Sequence, residues 1–275
     1  MKIKEGDVVG RRSYNNDILF VISRIIKINT KKFAILKGVS IRIEADAPLE
    51  DLELIDKRVV NENIKAINNK LSERVKNYHK RVNGKVYTGK ILHLDGDKRY
   101  SEKSLKYYNK IGLNAVVKNI PESKQPNHIR MLLEKYKPDI LIITGHDSML
   151  KNGTNYYNIY NYRNSKYFVS SVREARKWQY SLEKLSIFAG ACQSFFEAIM
   201  EAGANFASSP GRILIDFIDP IIIAEKIATT ENHKFVTTTD IIKEIKEGSK
   251  GVGGIGAMGK KKLIISWKNR HETFL

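Results

Sequence analysis

A single cysteine stands among the 275 residues: Cys192, just past the apolar run Leu185-Ser186-Ile187-Phe188-Ala189 and inside Gly190-Ala191-Cys192-Gln193-Ser194. A second apolar run, Ile140-Leu141-Ile142-Ile143, closes in the same manner on Thr144-Gly145-His146-Asp147. If the two runs are neighbouring parallel strands, their carboxyl ends set a thiol beside an imidazole at the rim of an α/β sheet, where such folds keep their chemistry. Attack by the sulfur on a carbonyl, with the histidine taking and returning the proton, is the reaction this pair suits. Gly190 and Ser194 flank the cysteine as small residues do where a strand turns sharply into a helix and exposes a nucleophile. A helix from about Gln193 would turn its N-terminal dipole and free N–H groups on the sulfur and lower the thiol pKa. Taken singly, a cysteine after a strand is an ordinary packing residue and a loop histidine only that. The two placements together make the case. The other histidines are placed less well: His93 inside a strand, His79 and His128 in basic helical segments, His233 and His271 in the C-terminal part.

Positioning that pair requires an alternating α/β unit, and the chain from Lys85 onward has one. Strands at 91–94, 115–117, 140–143 and 185–189 alternate with helices from about Lys98, at 127–135, at 172–182 and at 193–201. Alternation of this kind predicts a mostly parallel sheet with helices on both faces. His146 and Cys192 are 46 residues apart, an interval that loop, helix and strand fill, so the two belong on adjacent strands facing one crevice. The polar stretch 147–164 is too long for an ordinary connection and reads as functional or mobile.

Upstream, residues 1–55 carry five short runs: Val8-Val9-Gly10, then 18–22, 25–28, 33–36 and Ile41-Arg42-Ile43. Their hairpin-like breaks predict a small SH3-like β-barrel. Residues 56–84 lack proline and set Ile64, Ile67, Leu71 and Val75 at helical spacing, which predicts a basic linker helix. The resulting divisions are 1–55, 56–84 and 85–275. Both the loop 147–164 and the helix 62–83 offer Lys151, Arg163, Arg74 and Arg81 as places where a peptidase of basic specificity would cut itself. Gly254-Ile255-Gly256-Ala257-Met258-Gly259-Lys260-Lys261 mimics a nucleotide-binding loop, but Lys261 replaces the magnesium-binding Ser or Thr and no clear strand precedes it. It reads as a flexible loop.

A hydrophobic content of 42% supports a real core, and one cysteine forms no internal disulfide. No apolar stretch approaches the roughly 20 residues of a membrane span, and the N-terminus lacks a signal peptide's hydrophobic region, so a cytoplasmic start and no membrane partner are expected. The formal net charge of +18 is uneven: +3 over 1–60, +11 over 61–138 and +4 over the remainder. A basic middle suits nucleic acid or another acidic surface. Its lysines, however, are spread without an Arg cluster or interleaved aromatics, which fits solvated helix faces better. Scattered histidines and one cysteine make no zinc-site spacing, and neither metal nor cofactor is called for.

Four motifs in order carry a resemblance. They are His93-Leu94-Asp95-Gly96-Asp97, Ile142-Ile143-Thr144-Gly145-His146-Asp147, Phe188-Ala189-Gly190-Ala191-Cys192-Gln193-Ser194 and Ala202-Gly203-Ala204-Asn205-Phe206-Ala207-Ser208-Ser209-Pro210. The His and Cys strands resemble those of the caspase-like cysteine peptidases, which include metacaspases, clostripain and gingipains. The four together resemble the YabG family of sporulation proteases, from the N-terminal β segment to about Gly259. The resemblance implies a caspase-like α/β domain, cleavage of spore-coat and related spore proteins after basic residues, chiefly Arg, and action in the sporulating cell at the forming coat. Two departures stand out. The wider group carries Gly after the catalytic His, where this chain has Asp147, and several basic-specific members carry Asp two residues before the Cys, where this chain has Gly190. For the oxyanion, the backbone N–H of Cys192 and one from the Gly145, His146, Asp147 turn are the candidates. For the substrate cation, Asp95 and Asp97 lie past the first strand on the same edge, and a charge-assisted contact needs such a carboxylate. Asp95 is favoured, because Asp97 suits a helix cap.

Two other readings stay open. A glutamine-amidotransferase-like or other cysteine-elbow hydrolase would take its base from His233 or His271. A nucleic-acid or scaffold-binding protein would use the barrel and the basic middle.

Overall fold

The structure is a computed structural model and describes residues 3–81, 87–150 and 155–262. Its N-terminal part is one antiparallel sheet of five strands: β1 (Val8–Arg11), β2 (Phe20–Ile28), β3 (Lys31–Gly38), β4 (Glu44–Pro48) and β5 (Leu52–Leu54), in the order β4-β3-β2-β1-β5. Alternation along the strands puts Val9, Phe20, Ile22, Ala34, Leu36, Ala47 and Leu52 on one buried face. Two runs expected as separate strands, 18–22 and 25–28, are one strand, kept in register with β3 by a bulge between Ile22 and Arg24. The expected barrel is not closed. A 3-10 turn, Leu49–Asp51, joins β4 end to end with β5, and these two outer strands form no ladder with each other. Nor is Ile41-Arg42-Ile43 a strand of this sheet, because the chain leaves β3 after Gly38 and rejoins at Glu44.

The helix α1 (Lys57–Arg81) is docked on the core from Ile67 onward. Ile67 and Tyr78 are buried in the main core, Leu71 and Val75 pack against it, and Arg74 bonds Glu225 at 2.7 Å and Glu244 at 2.8 Å. The apolar spacing that predicted the helix is therefore the seam by which it attaches.

The main sheet is built from β6 (Ile91–Asp95), β7 (Ala115–Asn119), β8 (Ile140–Thr144), β9 (Ser186–Ala189) and β10 (Phe206–Ser208), with helices α2 (Lys98–Lys110), α3 (Gln125–Tyr136), α4 (Ser165–Trp178), α5 (Phe196–Glu201) and α6 (Asp219–Thr229) between or after them. A short pair, β11 (Phe235–Val236) with β13 (Ala257–Met258), stands apart, and β12 (Val252–Gly254) completes the large sheet. Its order is β7-β6-β8-β9-β10-β12, parallel except for β12. β6, β8 and β9 are buried at every residue, as strands covered on both faces must be. One face carries Ile91, Ile140, Ile142 and Phe188 against α6 and the tyrosines of α2, and the other carries Leu92, Leu141, Ile143 and Ile187 against α3 and α4.

The chain runs outward from β6 to β7 on one side and returns to β8 on the other, so the strand order reverses between β6 and β8. That switch leaves a crevice at the carboxyl ends. The glycine-rich 254–261 pattern is not the expected loop: Gly253 and Gly254 pair with Ala207 and Phe206 as the sheet's edge, and β13 follows instead of a helix. Among the described residues no helix is long and apolar enough to cross a membrane.

Candidate active site

His146 begins where β8 ends. A side chain at Gly145 would place its Cβ 2.2 Å from Oε1 of Glu122, so only glycine lets that carboxylate reach in and accept the His146 backbone N–H at 2.8 Å. The imidazole is wholly buried, stacks on Tyr100 with ring centroids 5.3 Å apart, and holds Nε2 3.6 Å from Oδ2 of Asp97. Among the described residues neither ring nitrogen has a hydrogen-bond partner. Burial pushes its pKa down to about 3, against the pull of the Asp97 charge. Asp97 is also the N-cap of α2, accepting the Arg99 backbone N–H at 2.8 Å, as its position before Lys98 predicted.

Cys192 lies one strand away, and β8 and β9 are hydrogen-bonded neighbours, as the spacing predicted. Between β9 and the cysteine, Gly190 has φ +116°, and a Cβ there would come 2.3 Å from Oγ of Ser208. The position that carries an acid in several basic-specific peptidases therefore has no room here for any side chain. Gly190→Ala is expected to cost about 2–4 kcal/mol of stability, because both the backbone and the contact are strained; a denaturant midpoint equal to that of the wild type would show that the turn relaxes freely.

The expected helix dipole behind the thiol is absent. α5 starts four residues on, at Phe196, is six residues long, and Gln193 turns through φ +53° first. Sγ instead accepts the Ile215 backbone N–H at 3.1 Å and faces Ile215 O at 3.5 Å. Burial pushes the thiol up to about 12, opposite to the lowering expected from a helix N-terminus.

The loops that carry the two residues are tied together by Asp147. Its carboxylate accepts Ser194 Oγ at 2.9 Å and Ser165 Oγ at 2.5 Å, and the backbone N–H groups of Ser148 at 2.9 Å and Asn164 at 2.7 Å. Burial raises this carboxyl to about 7, with those donors pulling the other way. The side chain thus faces the serines, and its backbone N–H is left for another partner.

That partner, and the site's least anticipated member, is Arg42. Its carbonyl oxygen accepts the backbone N–H of Cys192 at 3.2 Å and of Asp147 at 3.1 Å. Arg42 N–H donates to Ile215 O at 3.2 Å, Phe217 N–H donates to Ser40 O at 3.1 Å, and Glu44 N–H donates to Asp147 O at 3.2 Å. Residues 40–44 therefore lie extended across the carboxyl edge, antiparallel to 215–217. The Arg42 guanidinium is fully buried: Nη1 reaches Asp95 Oδ2 at 2.9 Å and Gly145 O at 3.4 Å, while Nε and Nη2 donate to Phe217 O at 3.2 and 2.9 Å. It also lies 4.8 Å from the centroid of the Tyr100 ring. Burial alone would raise Asp95; the Arg42 charge and His93 overcome it and hold the carboxyl well below the usual range.

The structure thus gathers Cys192, His146, Asp147 and Gly145 with Asp95 and Asp97 at one edge. Sequence reasoning missed Arg42, Tyr100, Glu122 and the Ile215 to Phe217 segment. Arginine between two isoleucines was the only local sign, and it reads equally as a strand. His233 is largely exposed beside Glu231, and His271 lies outside the described residues. Among the described residues no cluster of three or more metal-binding side chains exists.

A sheet edge that joins a thiol, an imidazole and paired backbone donors is equipped for acyl transfer, and the class is that of a peptidase: the family model described as YabG peptidase U57 matches residues 4–266. The sporulation-specific protease YabG of Bacillus subtilis (strain 168) is 36% identical to the chain over 289 aligned residues, covering 98% of this chain and all of that protein. The chain belongs to the YabG family of sporulation proteases. No solved structure matches it.

Proposed function

We propose that this protease is a cysteine endopeptidase with a caspase-like α/β domain, cutting spore-coat and related spore proteins after arginine at the forming coat. The observation that carries the reading is the seat of Arg42: a peptide carbonyl between the N–H groups of Cys192 and Asp147, with its arginine side chain on Asp95. Cys192 attacks a carbonyl held in that seat, and the two N–H groups receive the developing oxyanion. The replacement of Gly by Asp147 leaves this intact, since the donor is backbone and the carboxylate is turned to Ser165 and Ser194. His146 takes the thiol proton and passes it to the leaving amine, and water then releases the acyl group. With Nε2 facing Asp97, Nδ1 is the nitrogen left for that transfer, and the Asp97 charge favours the imidazolium. The carboxylate at Asp95, with the carbonyls of Gly145 and Phe217, supplies the acceptors a guanidinium needs, in a fork that an ammonium cannot fill as well.

His146→Ala is expected to lower turnover of an arginine peptide about as far as Cys192→Ala does, by roughly five to six orders of magnitude, because members of one catalytic unit fail together. Rates near those of the wild type would move the base elsewhere, His271 first, and favour the amidotransferase-like layout.

A further inference from the structure

We infer that the chain holds its own Arg42–Ile43 bond as substrate, and that Cys192 cleaves it; this inference rests on the peptidase reading above. A buried structural arginine needs acceptors for its guanidinium. It does not need its carbonyl oxygen placed on two N–H groups beside a cysteine and a histidine, with the backbone clamped on both sides of the following bond. Here Ser40 O and Arg42 N–H are gripped by Phe217 and Ile215 before the bond, and Glu44 N–H by Asp147 O after it. Tyr100, which stacks on His146, also donates its hydroxyl to Gly38 O at 2.8 Å and Ile41 O at 3.1 Å, so the incoming segment is fixed from the histidine side too. Ile215 holds the Arg42 backbone and the Cys192 sulfur alike, through its carbonyl and its N–H.

The places expected from sequence for self-cleavage compare poorly. Arg74 sits within α1 with its guanidinium on Glu225 and Glu244, where the helix must unwind before any peptidase can grip it. Arg163 bonds Ser148 and Asp46. Arg81 is the last residue of α1, and Lys151 lies outside the described residues.

In the reaction, a bond forms between Sγ and the Arg42 carbonyl carbon, and the Arg42–Ile43 C–N bond breaks. The thiol proton leaves through His146 to the Ile43 nitrogen. Water then adds to the thioester, restoring the thiol and freeing an Arg42 carboxylate. The chain would become a piece ending at Arg42 and a piece beginning at Ile43, still paired through β3 and β4. Until the cut, no other peptide can reach the sulfur, because Cys192 and His146 have no exposed surface.

The test is intact mass and N-terminal sequencing of freshly purified and stored full-length protein, wild type beside Cys192→Ala, with arginine-peptide hydrolysis measured on the same samples. The expected result is loss of the intact wild-type mass to two pieces, one ending at Arg42 and one beginning at Ile43, with Cys192→Ala uncut and equally folded by circular dichroism. Arg42→Gln, checked the same way for folding, should remain uncut at this bond; the wild-type comparison stands without it. Wild type that hydrolyses the peptide while keeping the 42–43 bond intact, or is nicked only at other places, overturns this inference and leaves the peptidase reading standing. Wild type that neither cuts itself nor exceeds Cys192→Ala on the peptide overturns both.

Discussion

Cys192→Ala is expected to bring hydrolysis of arginine peptides down to the level of a mock purification, a loss of roughly five to six orders of magnitude in kcat when a covalent nucleophile is removed from its unit. The fold should survive. Alanine fits where the thiol sits, and what it loses is the acceptor for Ile215 N–H, a contact of 3.1 Å whose removal costs about 1–2 kcal/mol. Cooperative unfolding beside absent turnover would separate chemistry from stability. Activity above the mock control would end the cysteine assignment, and with it the proposed acyl-enzyme.

The second large effect falls on specificity. In Asp95→Asn, kcat/KM on arginine peptides should fall by about 3–5 kcal/mol, or roughly two to four orders of magnitude, the cost of burying a guanidinium without its carboxylate. The substitution keeps the shape: asparagine Oδ1 can still accept the Asp97 backbone N–H that Asp95 takes at 2.9 Å. On protein already cut at the 42–43 bond, a peptide with a neutral residue before the cut should change little, because the donors at Cys192 and Asp147 are untouched. Because Arg42 fills this pocket in the intact chain, the variant's melting temperature should fall as well, and kinetics must be read on folded protein. Undiminished preference for arginine in Asp95→Asn would move the pocket acid elsewhere. Asp97 would be the next candidate, since the Asp147 carboxylate is committed to Ser165 and Ser194.

Much of this was legible locally. The buried runs at 140–144 and 186–189 announce covered parallel strands because every residue in them is apolar or small, and the strand ends mark where loops and chemistry must lie. Asp97 could be read as a cap because capping depends on residues two or three away. Where reasoning of this kind erred, a distant partner had intervened. The thiol was expected to be acidified by a helix N-terminus; the turn at Gln193 delays the helix, and burial under residues from other parts of the chain raises the pKa instead. Residues 1–55 show strand-length runs and breaks, but whether the outer strands close into a barrel depends on the path taken between β4 and β5.

Arg42 marks the boundary most clearly. By itself the sequence determined the alternation of elements, the two strand ends that carry His146 and Cys192, and the family resemblance, since each is written in neighbouring residues or in a contiguous motif. The pattern Ile41-Arg42-Ile43 specifies only extended backbone, which can pair with any free edge within reach. Tertiary structure alone decided that its partner is the 215–217 segment, that its carbonyl meets N–H groups from residues 147 and 192, and that Asp95 lies under its guanidinium. Those pairings join positions between 53 and 175 residues apart, and no local propensity encodes which of two extended surfaces a segment will choose.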